Sequence, residues 1–161
     1  MEPFFVNIIY NIHFWKMKIL MVCLGNICRS PLAHGIMEFV AKENNLDWFV
    51  DSAGTGDWHV GQQPDRRSIA VAKKHGIDIS SQRAQHFTAL LFDRYDQIFV
   101  MDHQNYKDVI SLAKNDTDKN KVRLFLENEI VPDPYYDDTM FEPVFEMVEK
   151  RCKELILDLS K

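Results

Sequence analysis

Four short apolar runs, Lys18–Val22, Trp48–Ser52, Gln97–Met101 and Lys121–Leu126, alternate with stretches whose apolar residues recur at helical spacing. The first helical stretch carries Ala33, Ile36, Met37 and Val40 on one stripe and ends near Asn44-Asn45. The second runs from Pro64 to His75, with Ile69, Ala70 and Ala72 apolar and Gly76 as its stop. A brief turn or helix at Thr88–Leu91 precedes the third strand, and His103–Ala113 fits a further helix. In the last helix Phe141, Val144, Phe145, Val148, Cys152, Leu155, Ile156 and Leu159 follow the i, i+3, i+4, i+7 rule. Strands that alternate with helices predict an α/β fold, a mainly parallel sheet covered on both faces. In such sheets ligands sit beyond the carboxyl ends of the strands.

That edge is where the chemistry gathers. The first strand runs directly into Cys23-Leu24-Gly25-Asn26-Ile27-Cys28-Arg29-Ser30-Pro31. Gly25 and Asn26 suit a sharp turn. Ser30 reads as an N-cap and Pro31 as the first helical residue. A tight turn into a helix N-terminus aims several backbone N–H groups at one spot, where the helix dipole adds positive charge. Arg29 brings a planar set of donors to the same place, so the loop is a cradle for a tetrahedral dianion. The same field favours a thiolate at Cys23, and the Ser30 hydroxyl can donate to its sulfur. A bare Cys-x5-Arg is common, and a buried cysteine is usually a small hydrophobe. The preceding strand, the internal glycine and the following Ser-Pro together favour a nucleophile beneath a bound phosphate.

Ester cleavage also needs a proton donor. Asp133, in Val131-Pro132-Asp133-Pro134-Tyr135-Tyr136, follows the fourth strand closely enough to reach the edge that carries Cys23. Its two prolines stiffen the segment, and the tyrosines can wall a slot for a flat ring.

Bulk properties limit the alternatives. The 161 residues are 46% hydrophobic, enough for one domain with its own core, and the net charge of −5 disfavours a nucleic-acid partner. Three cysteines give no disulfide framework, which points to a reducing, cytoplasmic setting. Residues 1–16 are apolar but interrupted by Asn7, Asn11 and His13, too short for a membrane span and unlike a secretory signal. Either they pack onto the domain as an added segment or they form an extension upstream of a natural start at Met17. Because the domain pattern begins at Lys18, the second reading is favoured.

These motifs, with Asp51-Ser52-Ala53-Gly54-Thr55 and Trp58-His59-Val60-Gly61, closely resemble the low-molecular-weight protein tyrosine phosphatases from Lys18 onward. The resemblance implies a three-layer, flavodoxin-like fold: a four-stranded parallel sheet flanked by helices, forming a single phosphatase domain over residues 17–161. It implies a cofactor-free, metal-independent phosphomonoesterase that acts on phosphotyrosine proteins or peptides and releases inorganic phosphate. Cys23 would be the nucleophile, Arg29 the phosphate clamp, and Asp133 the acid and then the base. Leu24, Gly25, Asn26, Ile27, Cys28 and Ser30 would form the phosphate loop, with Asn26 and Ser52 holding its shape. Trp58, Tyr135 and Tyr136 would line the entrance.

Cys28 would either capture oxidised Cys23 as a reversible disulfide or simply pack the loop. Ile27 offers an apolar wall where phosphoarginine phosphatases of this kind carry threonine, which favours an aryl ring. His34 stands where the family often has an acidic residue, a departure expected to matter little. His59, His75, His86 and His103 lack ligand spacing, so surface or core roles are expected for them. A thiol-dependent arsenate reductase would need Cys152 as a relay, but Cys152 falls on the apolar stripe of the last helix. A non-catalytic phosphopeptide module would not need Cys23, Arg29 and Asp133 together.

Overall fold

A computed structural model describes residues 13–161. Its four strands are β1 (Met17–Cys23), β2 (Trp48–Gly54), β3 (Gln97–Val100) and β4 (Val122–Leu124). They form one sheet in the order β2-β1-β3-β4, with every neighbouring pair parallel. Five α-helices connect or cover them: α1 (Arg29–Glu43), α2 (Arg66–Lys74), α3 (His103–Ile110), α4 (Asp116–Asn120) and α5 (Phe141–Leu159). This is the expected three-layer α/β architecture. The chain leaves β1 toward β2 and returns to the other side of β1 as β3. The connections therefore diverge beyond the carboxyl ends of β1 and β3, which is where such sheets open a crevice.

Period-two alternation along β1 divides the interior. Ile19, Met21 and Cys23 face a core built with α1 and α5, including Leu32, Met37, Phe145 and Val148. Leu20 and Val22 face the opposite core, with Phe87, Phe92 and Val109. On α5 the predicted apolar stripe is buried from Phe141 to Ile156, and Leu159 is partly covered.

Local details depart from expectation. Helix α1 begins at Arg29 with Cys28 at the cap position and no side-chain cap; Ser30 is inside the helix and fully buried. Its hydroxyl is committed to the Cys23 sulfur and to Asn26. Helix α2 starts later than Pro64, capped by the Asp65 carboxylate, which accepts from the Arg67 N–H. Its buried face is Ser68, Val71 and Ala72, while Ala70 is exposed. The unpredicted α4 consists of Asp116, Thr117, Asp118, Lys119 and Asn120, which carry no apolar periodicity to detect. Its cap is Asn115, whose side chain accepts from the Asp118 N–H.

The reading of residues 1–16 falls mostly outside the described residues. Of the four described, Lys16 donates its N–H to the Asp47 carbonyl at 3.0 Å, and the Trp15 ring lies 5.6 Å from that of Phe49. No helix among the described residues is long and apolar enough to cross a membrane.

Candidate active site

The turn from β1 into α1 is shaped by where its carbonyls go. Those of Cys23, Leu24 and Ile27 accept from the N–H groups of Thr55, Gly56 and Asp65 at 2.9, 2.8 and 2.8 Å. With the carbonyls drawn outward onto the β2–α2 connection, the loop's N–H groups are left to an incoming anion. None from Gly25 to Arg29 has an acceptor among the described residues.

Asn26 takes the left-handed conformation the turn requires, at φ 56°; Gly25 does not. The glycine serves proximity instead: a Cβ there would lie 3.1 Å from the His59 ring. Gly54 is more constrained, since a Cβ would lie 2.8 Å from the Leu24 carbonyl oxygen and 3.1 Å from the Asn26 nitrogen.

Side chains complete the cradle. Asn26 is buried and donates from Nδ2 to Ser30 Oγ at 2.8 Å and to Ser52 Oγ at 2.9 Å. Ser30 Oγ lies 3.0 Å from Cys23 Sγ. Arg29 is only 4% exposed, and its Nη1 donates to Asp102 Oδ2 at 2.7 Å and to the Val131 carbonyl at 3.1 Å. Its Nη2 lies 3.9 Å from Asp133 Oδ2. Burial alone would push the guanidinium down, but the Cys23 sulfur and the carboxylates of Asp102 and Asp133 outweigh it and hold it above its ordinary value. Arg29 is thus anchored through one nitrogen while its other donors remain for a ligand.

Cys23, Arg29 and Asp133 line a single cavity of about 360 Å³. Ile27 and Cys28 share its wall, as do Trp58, His59, Tyr135 and Tyr136 nearer the rim. Asp133 is 40% exposed at its side chain, and its Oδ1 accepts from the Tyr135 N–H at 3.1 Å, which turns the loop back on itself. Tyr135 and Tyr136 meet edge to face at 4.9 Å, and the Arg67 guanidinium lies 5.4 Å from the Tyr135 ring.

The other thiols differ. Burial, with the nearby charges of Asp65, Cys23 and Asp133, pushes Cys28 up to about 12. Cys152 is wholly buried in the core, and burial pushes its thiol up as well, so it is no relay to the cavity.

Every residue predicted for the site lies in the cavity or directly behind it: Ser30, Asn26 and Ser52 stand in the supporting hydrogen-bond line. Two participants were missed. Asp102 anchors Arg29 while capping α3 through the Asn105 N–H at 2.8 Å. It directly follows the Gln97–Met101 run, so its place at the strand edge was a usable signal. His59, expected at the surface or in the core, lines the cavity with Nδ1 2.9 Å from Gln62 Oε1.

Comparison with known proteins agrees with this geometry. The family model for low molecular weight phosphotyrosine protein phosphatase matches residues 18–161. The low molecular weight phosphotyrosine protein phosphatase of Sus scrofa is 34% identical over 150 residues, covering 86% of this chain and 93% of its own. YfkJ of Bacillus subtilis, a low molecular weight protein-tyrosine-phosphatase, is 33% identical over 151 residues, covering 89% and 96%. The crystal structure of a protein tyrosine phosphatase from Entamoeba histolytica superposes with a TM-score of 0.84 at 36% identity, covering 89% of this chain and 97% of that one.

Proposed function

The chain belongs to the low molecular weight phosphotyrosine protein phosphatase family and is a phosphatase, and from that premise we propose that it hydrolyses phosphotyrosine through a phosphocysteine on Cys23. The observation that carries this reading is the convergence of Cys23, Arg29 and Asp133 on one cavity. In the first step the Cys23 thiolate attacks phosphorus in line. The three equatorial oxygens rest on the loop N–H groups and the unanchored face of Arg29, where the charge of the transition state is spread. Asp133 gives its proton to the departing phenol oxygen. In the second step Asp133, now a carboxylate, takes a proton from water as that water attacks phosphorus. The sulfur leaves as a thiolate with the Ser30 hydroxyl beside it, and inorganic phosphate is released. The protein supplies position and preset dipoles, and no cofactor has a step in this sequence.

The rim supports an aryl substrate. Ile27 presents an apolar wall, and Trp58, Tyr135 and Tyr136 supply aromatic surface around the opening. These features suit the flat ring of a tyrosine residue held at the depth of its phosphate. Residues 17–161 would act as a single catalytic domain, and a reducing, cytoplasmic setting would keep the thiols free.

Steady-state hydrolysis of phosphotyrosine, phosphoserine and phosphoarginine peptides tests the reading, with the phosphotyrosine peptide expected to be preferred. Cys23→Ser is expected to bind the peptide without turning it over. Asp133→Asn is expected to lower kcat for aryl phosphates by about 10²–10⁴. A loss below about threefold with chemistry rate-limiting would remove Asp133 from the acid role.

A further inference from the structure

Resting on the phosphatase reading, we propose that His34 is a positioning residue that holds Ser52, and through it Asn26, in the hydrogen-bond line behind Cys23. The Gln85 N–H donates to Asn26 Oδ1 at 3.0 Å, which fixes the orientation of that amide. Both Nδ2 protons then go to hydroxyl oxygens, those of Ser30 at 2.8 Å and Ser52 at 2.9 Å. Each serine, having accepted one proton, has its own to give. Ser30 gives it to the Cys23 sulfur at 3.0 Å, and Ser52 gives it to His34 Nδ1 at 3.2 Å. Nδ1 must therefore be bare, and the imidazole proton sits on Nε2, 3.1 Å from Glu38 Oε2. That contact holds the Glu38 carboxyl below the usual carboxylate range.

Asn26, Ser30 and Ser52 are 2%, 0% and 4% exposed, so no bulk water can repair a mismatch among them. Glu38 is 58% exposed at its side chain. The line thus runs from solvent, through one neutral imidazole, to the nucleophile. A second proton on His34 turns Nδ1 into a donor and strands the Ser52 hydroxyl proton in a buried site, a costly arrangement. Ser52 must then turn, and its hold on Asn26 slackens. The phosphate loop is consequently tightest when His34 is neutral and loosens as the imidazole protonates. The charged groups around the ring are Glu38 and Lys42 from α1 and Asp78 from beyond α2, which line the same surface groove. Asp51 neighbours Ser52 on β2 and is engaged by Gln85 and Tyr95.

The test reads both thiol reactivity and the pH profile. His34→Leu is expected to slow alkylation of Cys23 by iodoacetamide near neutral pH by about fivefold and to lower kcat similarly. His34→Asn, whose carboxamide oxygen can stand near the position of Nδ1 without titrating, is expected to restore both to within about twofold. It should also flatten the acid limb of kcat. Wild-type alkylation and an unchanged acid limb in His34→Leu would overturn the proposal, as would a loss that His34→Asn does not rescue. Should His34→Leu fail to fold, Glu38→Gln at the exposed end serves instead. With the counter-charge gone, the acid limb is expected to move to lower pH by about half a unit or more, and an unmoved limb overturns the proposal. If the wild-type protein does not hydrolyse phosphotyrosine, the phosphatase reading fails; the alkylation rates still decide the role of His34.

Discussion

Cys28 and Cys23 stand in one cavity, and burial sets Cys28 apart as a thiol that resists ionisation. With Cys28 pushed up to about 12, it stays a thiol through neutral pH and is a poor nucleophile. Brief iodoacetamide treatment near pH 7 is expected to modify Cys23 first, with Cys28 labelled only in strong alkali; peptide mass mapping reads the order. Asp102 makes a second prediction. Its carboxylate holds one nitrogen of Arg29 at 2.7 Å, so Asp102→Ala frees the guanidinium and leaves it buried without that partner. Weaker phosphate inhibition and a kcat loss of at least about tenfold are expected, since a guanidinium displaced by about 1 Å no longer matches the reacting phosphate. Sequence legibility at this scale follows sequence distance. Cys23 and Arg29 sit in one short loop and announce themselves. Asp102 joins Arg29 across 73 positions, and no local pattern signals that pairing. Ser30 reads as a cap because it precedes proline, but the helix starts one residue earlier and the Ser30 hydroxyl is held by Cys23 and Asn26.

Among the elements, the β2–α2 connection supports the phosphate loop. Gly54, the last residue of β2 before that connection, lies against the Leu24 carbonyl and the Asn26 nitrogen, both of them backbone. Gly54→Ala must therefore push the loop itself aside. Its expected signature is a large loss of phosphate binding and turnover, read by isothermal titration and steady-state rates, with helical circular dichroism largely kept. Helix α2 depends on Asp65, whose carboxyl is held below the usual range by its hydrogen bonds with the Arg67 side chain and backbone. Asp65→Ala is expected to cost about 0.5–2 kcal/mol in urea unfolding. Because the folded-state value is the depressed one, this contribution is full above the unfolded carboxylate value of about 3.9 and fades as pH falls below it. The mutant's deficit should therefore shrink toward pH 3. Long, periodic elements such as α1 and α5 were legible because burial writes a stripe into them. Helix α4 was not, since its capping and backbone bonds involve no apolar face.

At the scale of the whole molecule, the alternation of strands and helices was enough to predict a parallel sheet and the edge that bears the site. It did not give the strand order, because β1's two neighbours come from distant parts of the chain. Alternation along β1 has a mechanical result. Ile19, Met21 and Cys23 point the same way into the α1–α5 core, so the candidate nucleophile is the last member of an otherwise sealed column. Phe145 lies in that core and is wholly buried, its ring 4.1 Å from that of His75. Phe145→Ala is expected to lower stability by about 3–5 kcal/mol, measured by denaturant unfolding. Helix α5 packs on α1, whose first turn holds Ser30 against the sulfur, so a disturbance entering at the α5 layer reaches Cys23 through α1. Heat inactivation and loss of tertiary structure should then trace one curve, with no temperature at which a dead enzyme still looks folded.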